Sequence, residues 1–150
     1  MRIGVTGTLR GATKLQLVIL GSYINSPRVG RLVHGGAPGV DSEADALFER
    51  EGRDAEGRRF RRTTDVYPAK GSRGTYARPT YRDIAREPLE RDRLIVANCD
   101  LMLVVPRQDH EIRRSGTWAT CRYAVAAGVI TLVILPDGDT RPAEYLLGGE

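Results

Sequence analysis

The chain is poor in the residues that build disulfide frameworks and metal centres, with two cysteines, Cys99 and Cys121, and two histidines among 150 residues. Cysteines so few and so far apart exclude a disulfide scaffold or a zinc knuckle. Each stands in an apolar helical context, where a reduced thiol packs as a small hydrophobe. Two histidines do not complete a metal site, so neither a metal nor a cofactor is expected. No apolar run approaches the ~20 residues that cross a bilayer. The opening Met1-Arg2-Ile3-Gly4-Val5 enters a strand-like pattern with no signal-peptide core. A cytoplasmic protein without membrane partners is the expectation. Lysine is nearly absent: Lys14 and Lys70 are the only two among 23 basic residues, which leaves 21 arginines against 19 acidic residues and a net charge of +4. Arginine's planar fork suits phosphate and carboxylate, so anionic partners are allowed, although a bias this strong equally fits the base composition of a genome.

The length suits a single domain spanning residues 1–150, large enough to bury roughly two-thirds of the surface its unfolded form exposes. Short apolar runs at residues 2–6, 29–34, 63–67, 101–105 and 130–135 read as five strands. Helical spacing falls between them at residues 13–24, 41–48, 89–98 and 117–127. The charged stretch 53–62, which contains Arg58-Arg59-Phe60-Arg61-Arg62, reads as a solvated connection. Residues 69–86 have no sustained period and several Gly, Pro and Tyr residues, and read as a long loop or lid carrying Tyr76 and Tyr81. Strands alternating with helices predict an α/β fold, a Rossmann-like three-layer sandwich around a mainly parallel five-stranded sheet.

In such sheets ligands bind beyond the carboxyl ends of the strands, where strand order reverses. The unusual residues fall at those ends. Gly7 and Thr8 follow the first strand; His34, Gly35, Gly36, Gly39 and Asp41 follow the second; Tyr67 ends the third. Arg107 follows the fourth, and Ser115, Gly116 and Thr117 open the last helix. Glycine-rich strand-to-helix loops expose backbone N–H groups at positive helix ends, which suits an anion. The other reading of the glycines is a tight turn that needs positive φ. Asp41 reads either as a helix cap or as an acid, and His34 either as a ligand contact or as a hydrogen-bonded strand-end residue. Trp118, the only tryptophan, either stacks on a base or packs in the core.

The residues Gly4-Val5-Thr6-Gly7, His34-Gly35-Gly36-Ala37-Pro38-Gly39-Val40-Asp41, Tyr67-Pro68-Ala69, Arg91-Asp92-Arg93-Leu94-Ile95-Val96, Asp100 and Gly116-Thr117-Trp118 with Arg122-Tyr123-Ala124 carry a likeness. In this order they resemble the Rossmann-like SLOG superfamily, which includes the LOG phosphoribohydrolases and the DNA-processing protein A family. They look most like its small stand-alone members from bacteria and phages. The resemblance implies a nucleotide or nucleotide-derived ligand whose phosphate rests on the glycine loops, at Gly35, Gly36, Gly39, Gly116 and Thr117. LOG enzymes carry PGGxGTxxE and an upstream arginine; Arg91, nine residues before Asp100, matches that arginine, and Gly116-Thr117 match the GT. Pro106 is followed by a polar loop, and Thr120 stands at the glutamate position, where a threonine cannot activate water or stabilise an oxocarbenium-like centre.

Three functional readings follow. The first is binding of a nucleotide-type ligand. The second is N-glycosidic hydrolysis or transfer on a nucleoside monophosphate. Its carboxylate would come from Asp41, Asp92, Asp109 or Glu111, with Arg91 as a further catalytic candidate. The third is single-strand DNA binding, implied by the DNA-processing relatives and thinly supported by Phe60 among four arginines. Homo-oligomerisation is expected by analogy with small sheets of this class.

Overall fold

The two most apolar runs pair side by side and the rest of the sheet grows outward from them. A computed structural model of the chain describes residues 1–71 and 79–148. In chain order the elements are β1 (Arg2–Gly7), α1 (Lys14–Ile24), β2 (Arg31–His34), α2 (Val40–Leu47), β3 (Glu51–Arg53), β4 (Arg59–Arg61) and β5 (Thr63–Val66). There follow β6 (Tyr81–Arg82), α3 (Pro88–Ala97), β7 (Leu101–Val105), α4 (Gly116–Ala126), β8 (Ile130–Ile134), β9 (Thr140–Pro142) and a short 3₁₀ turn (Ala143–Tyr145). The main sheet runs β6-β5-β2-β1-β7-β8-β9, parallel except for β9, so the Rossmann-like α/β architecture read from the sequence is the one observed.

The sheet is larger than the five strands expected. The two additions are its edges. β6 lies inside the stretch expected to be a loop, and its two residues are too few to show a period of two; backbone bonds such as Thr80 N to Thr64 O (2.8 Å) and Asp83 N to Val66 O (2.9 Å) create it. β9 contains Pro142, which an edge strand tolerates because no ladder bond is demanded of its nitrogen. Tyr76 lies outside the described residues.

Helices α1 and α2 cover one face, where Leu20, Ile24, Val40, Ala44 and Phe48 pack on Ile3, Val5 and Leu103. α3 and α4 cover the other, where Ile95, Val96, Trp118 and Cys121 pack on Val33, Met102 and Val104. Trp118 is fully buried and its indole N–H donates to Gln108 Oε1 at 3.3 Å, so it is a core residue, not a stacking platform. Burial pushes the Cys99 thiol up to about 11 and the Cys121 thiol up to about 12, in keeping with their role as small hydrophobes.

The charged stretch departs most from expectation. β3 and β4 form an antiparallel pair, Glu51 opposite Arg61 and Arg53 opposite Arg59. Arg62, read as part of a solvated run, is only 3% exposed. Its guanidinium donates to the carbonyls of Val29 (2.9 Å), Asn25 (3.1 Å) and Ser26 (3.0 Å), and lies over the Phe60 ring at 5.1 Å and the Phe48 ring at 5.9 Å. The physical reason is that the turn after α1 leaves the carbonyls of Asn25, Ser26 and Val29 pointing inward beside the negative end of the helix, and one arginine binds all three. Arg62→Ala should therefore destabilise the fold by about 3 kcal/mol, through unpaired carbonyls and lost packing. A urea midpoint within experimental error of the wild-type value would refute this account of Arg62.

Candidate functional site

β1 and β7 are neighbouring parallel strands, yet the chain leaves β1 toward α1 on one face and leaves β7 toward α4 on the other. The connections must diverge, and the gap at the carboxyl ends is a crevice of about 420 Å³, within the ~300–1,000 Å³ usual for small-molecule sites. Residues 6–10 form the β1 wall, and Arg107 with Gln108 the β7 wall. Ser115, Gly116, Thr117 and Thr120 come from the start of α4, Ala37 and Asp41 from the β2 side, and Pro88, Arg91 and Asp92 from α3. Of the residues singled out from the sequence, Gly7, Thr8, Asp41, Arg91, Asp92, Arg107, Ser115, Gly116 and Thr117 meet here. His34, Gly35, Gly36, Gly39 and Tyr67 do not line the crevice.

The glycine loop is not an open cradle. Gly35 N and Ala37 N both donate to Asp41 Oδ2 at 3.1 Å, and Gly36 N donates to His34 Nδ1 at 2.9 Å. An aspartate and an imidazole already occupy the N–H groups expected to hold phosphate. The glycines answer to space and conformation instead. Gly36 and Gly39 have φ of +67° and +83°. A Cβ at Gly39 would stand 2.6 Å from the Leu9 carbonyl carbon, and one at Gly35 would stand 2.9 Å from Arg91 Cζ. Gly7 is required in the same way, since a Cβ there would stand 2.6 Å from the Val40 side chain.

The expectation that Asp41 caps α2 is corrected too. Gly39 holds the N-cap position, and the Asp41 carboxylate turns back into the loop. His34 is the buried strand-end histidine: because Nδ1 accepts from Gly36 N, Nε2 carries the proton and donates to Asp45 Oδ1 at 2.9 Å. Tyr67 packs against Tyr81 with ring centroids 5.9 Å apart.

The start of α4 is different. Ser115 Oγ accepts from Trp118 N (3.4 Å) and Ser115 O accepts from Ala119 N (2.9 Å). The N–H groups of Gly116 and Thr117 have no acceptor among the described residues, and both residues line the crevice. Two free donors at a positive helix end are what an anion needs. Thr120, at the glutamate position of the resemblance, donates its hydroxyl to Gly116 O (3.0 Å) and is 2% exposed.

Arg91 Nε donates to Asp92 Oδ1 at 2.7 Å, and Nη1 reaches Gly35 O at 3.4 Å, which fixes the guanidinium over the glycine loop. Asp41 and Asp92 are the carboxylates of the crevice. Asp109 instead pairs with His110 (2.7 Å) on the surface. Glu111 binds Arg122 (2.8 Å) and Gly148 N (3.1 Å), and neither lines the crevice. Arg93 lies over the Tyr123 ring at 5.5 Å. The supposed nucleic-acid run is largely self-satisfied: Arg58 pairs with Asp54 (3.0 Å), Arg59 pairs with Glu51 (3.0 Å), and Phe60 lies under Arg62.

Sequence reasoning missed Gln16, a buried residue that positions the site. Its Nε2 donates to Pro106 O and Ile134 O, both at 2.8 Å, and its Oε1 accepts from Thr13 N at 2.9 Å. This fixes the residue before Arg107. The spacing Thr13-x-x-Gln16 is a capping-box pattern and was the available signal. Arg10, Leu9, Gln108 and Pro88 also line the crevice and carried no motif.

No protein-family model matches the chain, and a search of curated proteins finds no match. Among solved structures the chain is similar to the molybdenum cofactor binding protein from the phototrophic bacterium Rippkaea orientalis, at 17% identity over 89% of this chain and 76% of that one, TM-score 0.64. It is also similar to the structural-genomics target TM1055, at 13% identity over 87% of this chain and 71% of that one, TM-score 0.57. At these identities the likeness shows a shared Rossmann-like fold. No helix among the described residues is long and apolar enough to cross a membrane.

Burial raises the Asp41 carboxyl above the usual carboxylate range, against the opposing influence of His34, the Ala37 and Gly35 N–H groups and Arg91. Its folded value therefore exceeds its unfolded one. The contribution Asp41 makes to stability is complete below about pH 4 and is lost as pH rises through the folded value. Asp41→Asn keeps an acceptor oxygen for Gly35 and Ala37 but does not titrate. Urea unfolding between pH 4 and 8 should show the wild type losing stability relative to this variant as pH rises. A difference that stays constant or reverses in sign of slope would remove the assignment.

Proposed function

We propose that the crevice binds a nucleotide or nucleotide-derived ligand with a phosphate on the N–H groups of Gly116 and Thr117, in a SLOG-type domain. The observation that carries the reading is that these two donors have no acceptor among the described residues and belong to residues that line the crevice at the switch point of the sheet. Thr8, Arg91, Arg107 and Ser115 stand around the same space. Leu9, an exposed apolar residue at the rim, and Pro88 offer a surface for a flat base or ring. The glycine loop stands behind the wall that Ala37 and Asp41 form: Asp41 holds it closed, and His34 holds Gly36. The family resemblance supports a nucleotide, and one structural neighbour is named for binding a small-molecule cofactor.

A second reading rests on Asp41 and Asp92 lining the crevice beside Arg91. A carboxyl held toward its protonated form can donate a proton to a departing base, as N-glycosidic cleavage requires. Free base released from a nucleoside monophosphate by the wild type, and abolished in Asp41→Asn, would favour turnover over binding.

Binding is tested by a thermal-shift panel of nucleoside mono-, di- and cyclic phosphates, ADP-ribose, NAD and the molybdenum cofactor. A ligand at a hundred times its Kd adds about 2.7 kcal/mol of stability. Gly116→Asp is the decisive variant. A Cβ at Gly116 meets no atom within 4 Å, and an acid in the first turn favours the helix by about 0.3–1 kcal/mol. The variant is expected to fold and to bind the hit at least about tenfold more weakly, because its carboxylate faces the phosphate. Unchanged affinity in the folded variant would refute the site.

A further inference from the structure

We infer that the crevice takes a ligand with two phosphate groups, the second held by Arg10 and Arg107, and so prefers a nucleoside diphosphate or a diphosphate-bridged nucleotide to a nucleoside monophosphate. The inference rests on the nucleotide reading above and names the ligand class of that same site.

It comes from the charges that face the crevice. Among the described residues, three arginines line it, Arg10, Arg91 and Arg107, with two aspartates, Asp41 and Asp92. Arg91 and Asp92 neutralise each other at 2.7 Å. Asp41 lies inside the glycine loop, bonded to two backbone N–H groups and displaced by burial toward its neutral form. Arg10 and Arg107 are left over, and neither side chain has a carboxylate or any other hydrogen-bond partner among the described residues. Unpaired arginines occur elsewhere on the surface. These two differ in converging on one concave space.

Their origins divide the labour. Arg10 comes from the loop that leaves β1 toward α1, and Arg107 from the loop that leaves β7 toward α4, so they flank the switch point from its two sides. The Gly116 and Thr117 N–H groups already supply donors for the oxygens of one phosphate. Two guanidinium forks, each with up to about five N–H donors, exceed what that phosphate can accept and suit a neighbouring one. Gly7, Leu9 and Pro88 put apolar surface beside the two arginines, which limits the solvent that screens their charge in the gap. A monophosphate would leave that charge uncompensated; a diphosphate places a second anionic group between the two arginines.

Titration calorimetry at fixed salt should show ADP and ADP-ribose binding the wild-type chain at least about tenfold tighter than AMP, with GDP and GMP as a second pair in case the base is guanine. Arg10→Gln and Arg107→Gln lie on the exposed rim and should fold, as their melting curves will verify. Each should cut the diphosphate-over-monophosphate preference by about tenfold. ADP tighter than ADP-ribose identifies a terminal second phosphate, and equal affinities identify a bridging one. AMP binding as tightly as ADP, or a preference that survives both arginine substitutions, overturns the diphosphate inference. If that AMP binding is itself lost in Gly116→Asp, the nucleotide site stands without the inference; if no probe binds, both fall.

Discussion

Everything at the candidate site depends on one constraint: β1 and β7 pair in parallel, residue by residue from Ile3 opposite Leu101 to Gly7 opposite Val105, while their following helices pack on opposite faces. A right-handed crossover gives the chain no choice of side once the order β2-β1-β7-β8 is set. The two loops therefore part at the end of the pair. Backbone that would be covered elsewhere in the sheet stays open there. Gly7 shows how tightly the opening is built, because its lack of a side chain lets Val40 sit against the end of β1. Gln16 closes the opposite corner by tying the carbonyls of Pro106 and Ile134 together.

Within that opening the two glycine-bearing loops have taken different roles. The loop after β2 carries its own anion, Asp41, whose Oδ2 receives two backbone N–H groups, and its own imidazole, which receives a third. Such internal bonds hold the loop in one shape without a ligand, at the expense of its ability to bind one. Among the described residues the α4 start leaves two donors without acceptors, with Ser115 capping only the third residue of the helix. The division is physically sensible. A loop satisfied internally can serve as a rigid wall, as Gly35 does beneath Arg91, whereas a helix end left partly unsatisfied holds polar groups in readiness for charge.

The sequence disclosed the central sheet and helices because their apolar runs are long enough to show a period: 101–105 and 130–135 read as strands on hydrophobicity alone. β6 and β9 stayed hidden, being two and three residues long at the edges, where backbone pairing and not burial defines a strand. Arg62 stayed hidden because an arginine in a charged run gives no sign of which carbonyls will surround it. At the site, the positions of Gly7, Thr8, Arg107, Gly116 and Thr117 followed from the rule that loops converge at strand ends, and that of Arg91 from the family resemblance. What the pattern could not convey was where hydrogen bonds go. Asp41 two residues after a glycine has the same spelling whether its carboxylate caps a helix or fills a loop, and only the direction of the side chain separates a cradle from a closed turn.

Thr120 carries the same lesson into chemistry. Its hydroxyl is bonded to the carbonyl of Gly116 within its own helix, so it neither presents a base nor a nucleophile to the crevice. The acidic groups that remain come from other elements, α2 and α3, and each is already engaged: Asp92 with Arg91, Asp41 with the glycine loop. Both backbone bonds to Asp41 use Oδ2. Burial already holds the Asp41 carboxyl above the usual range, and an anion placed nearby would draw it still further toward its protonated form. On the proposed reading, phosphate binding and protonation of Asp41 would favour each other, so the bonds that weaken the glycine loop as a cradle would couple its aspartate to what the opposite wall holds.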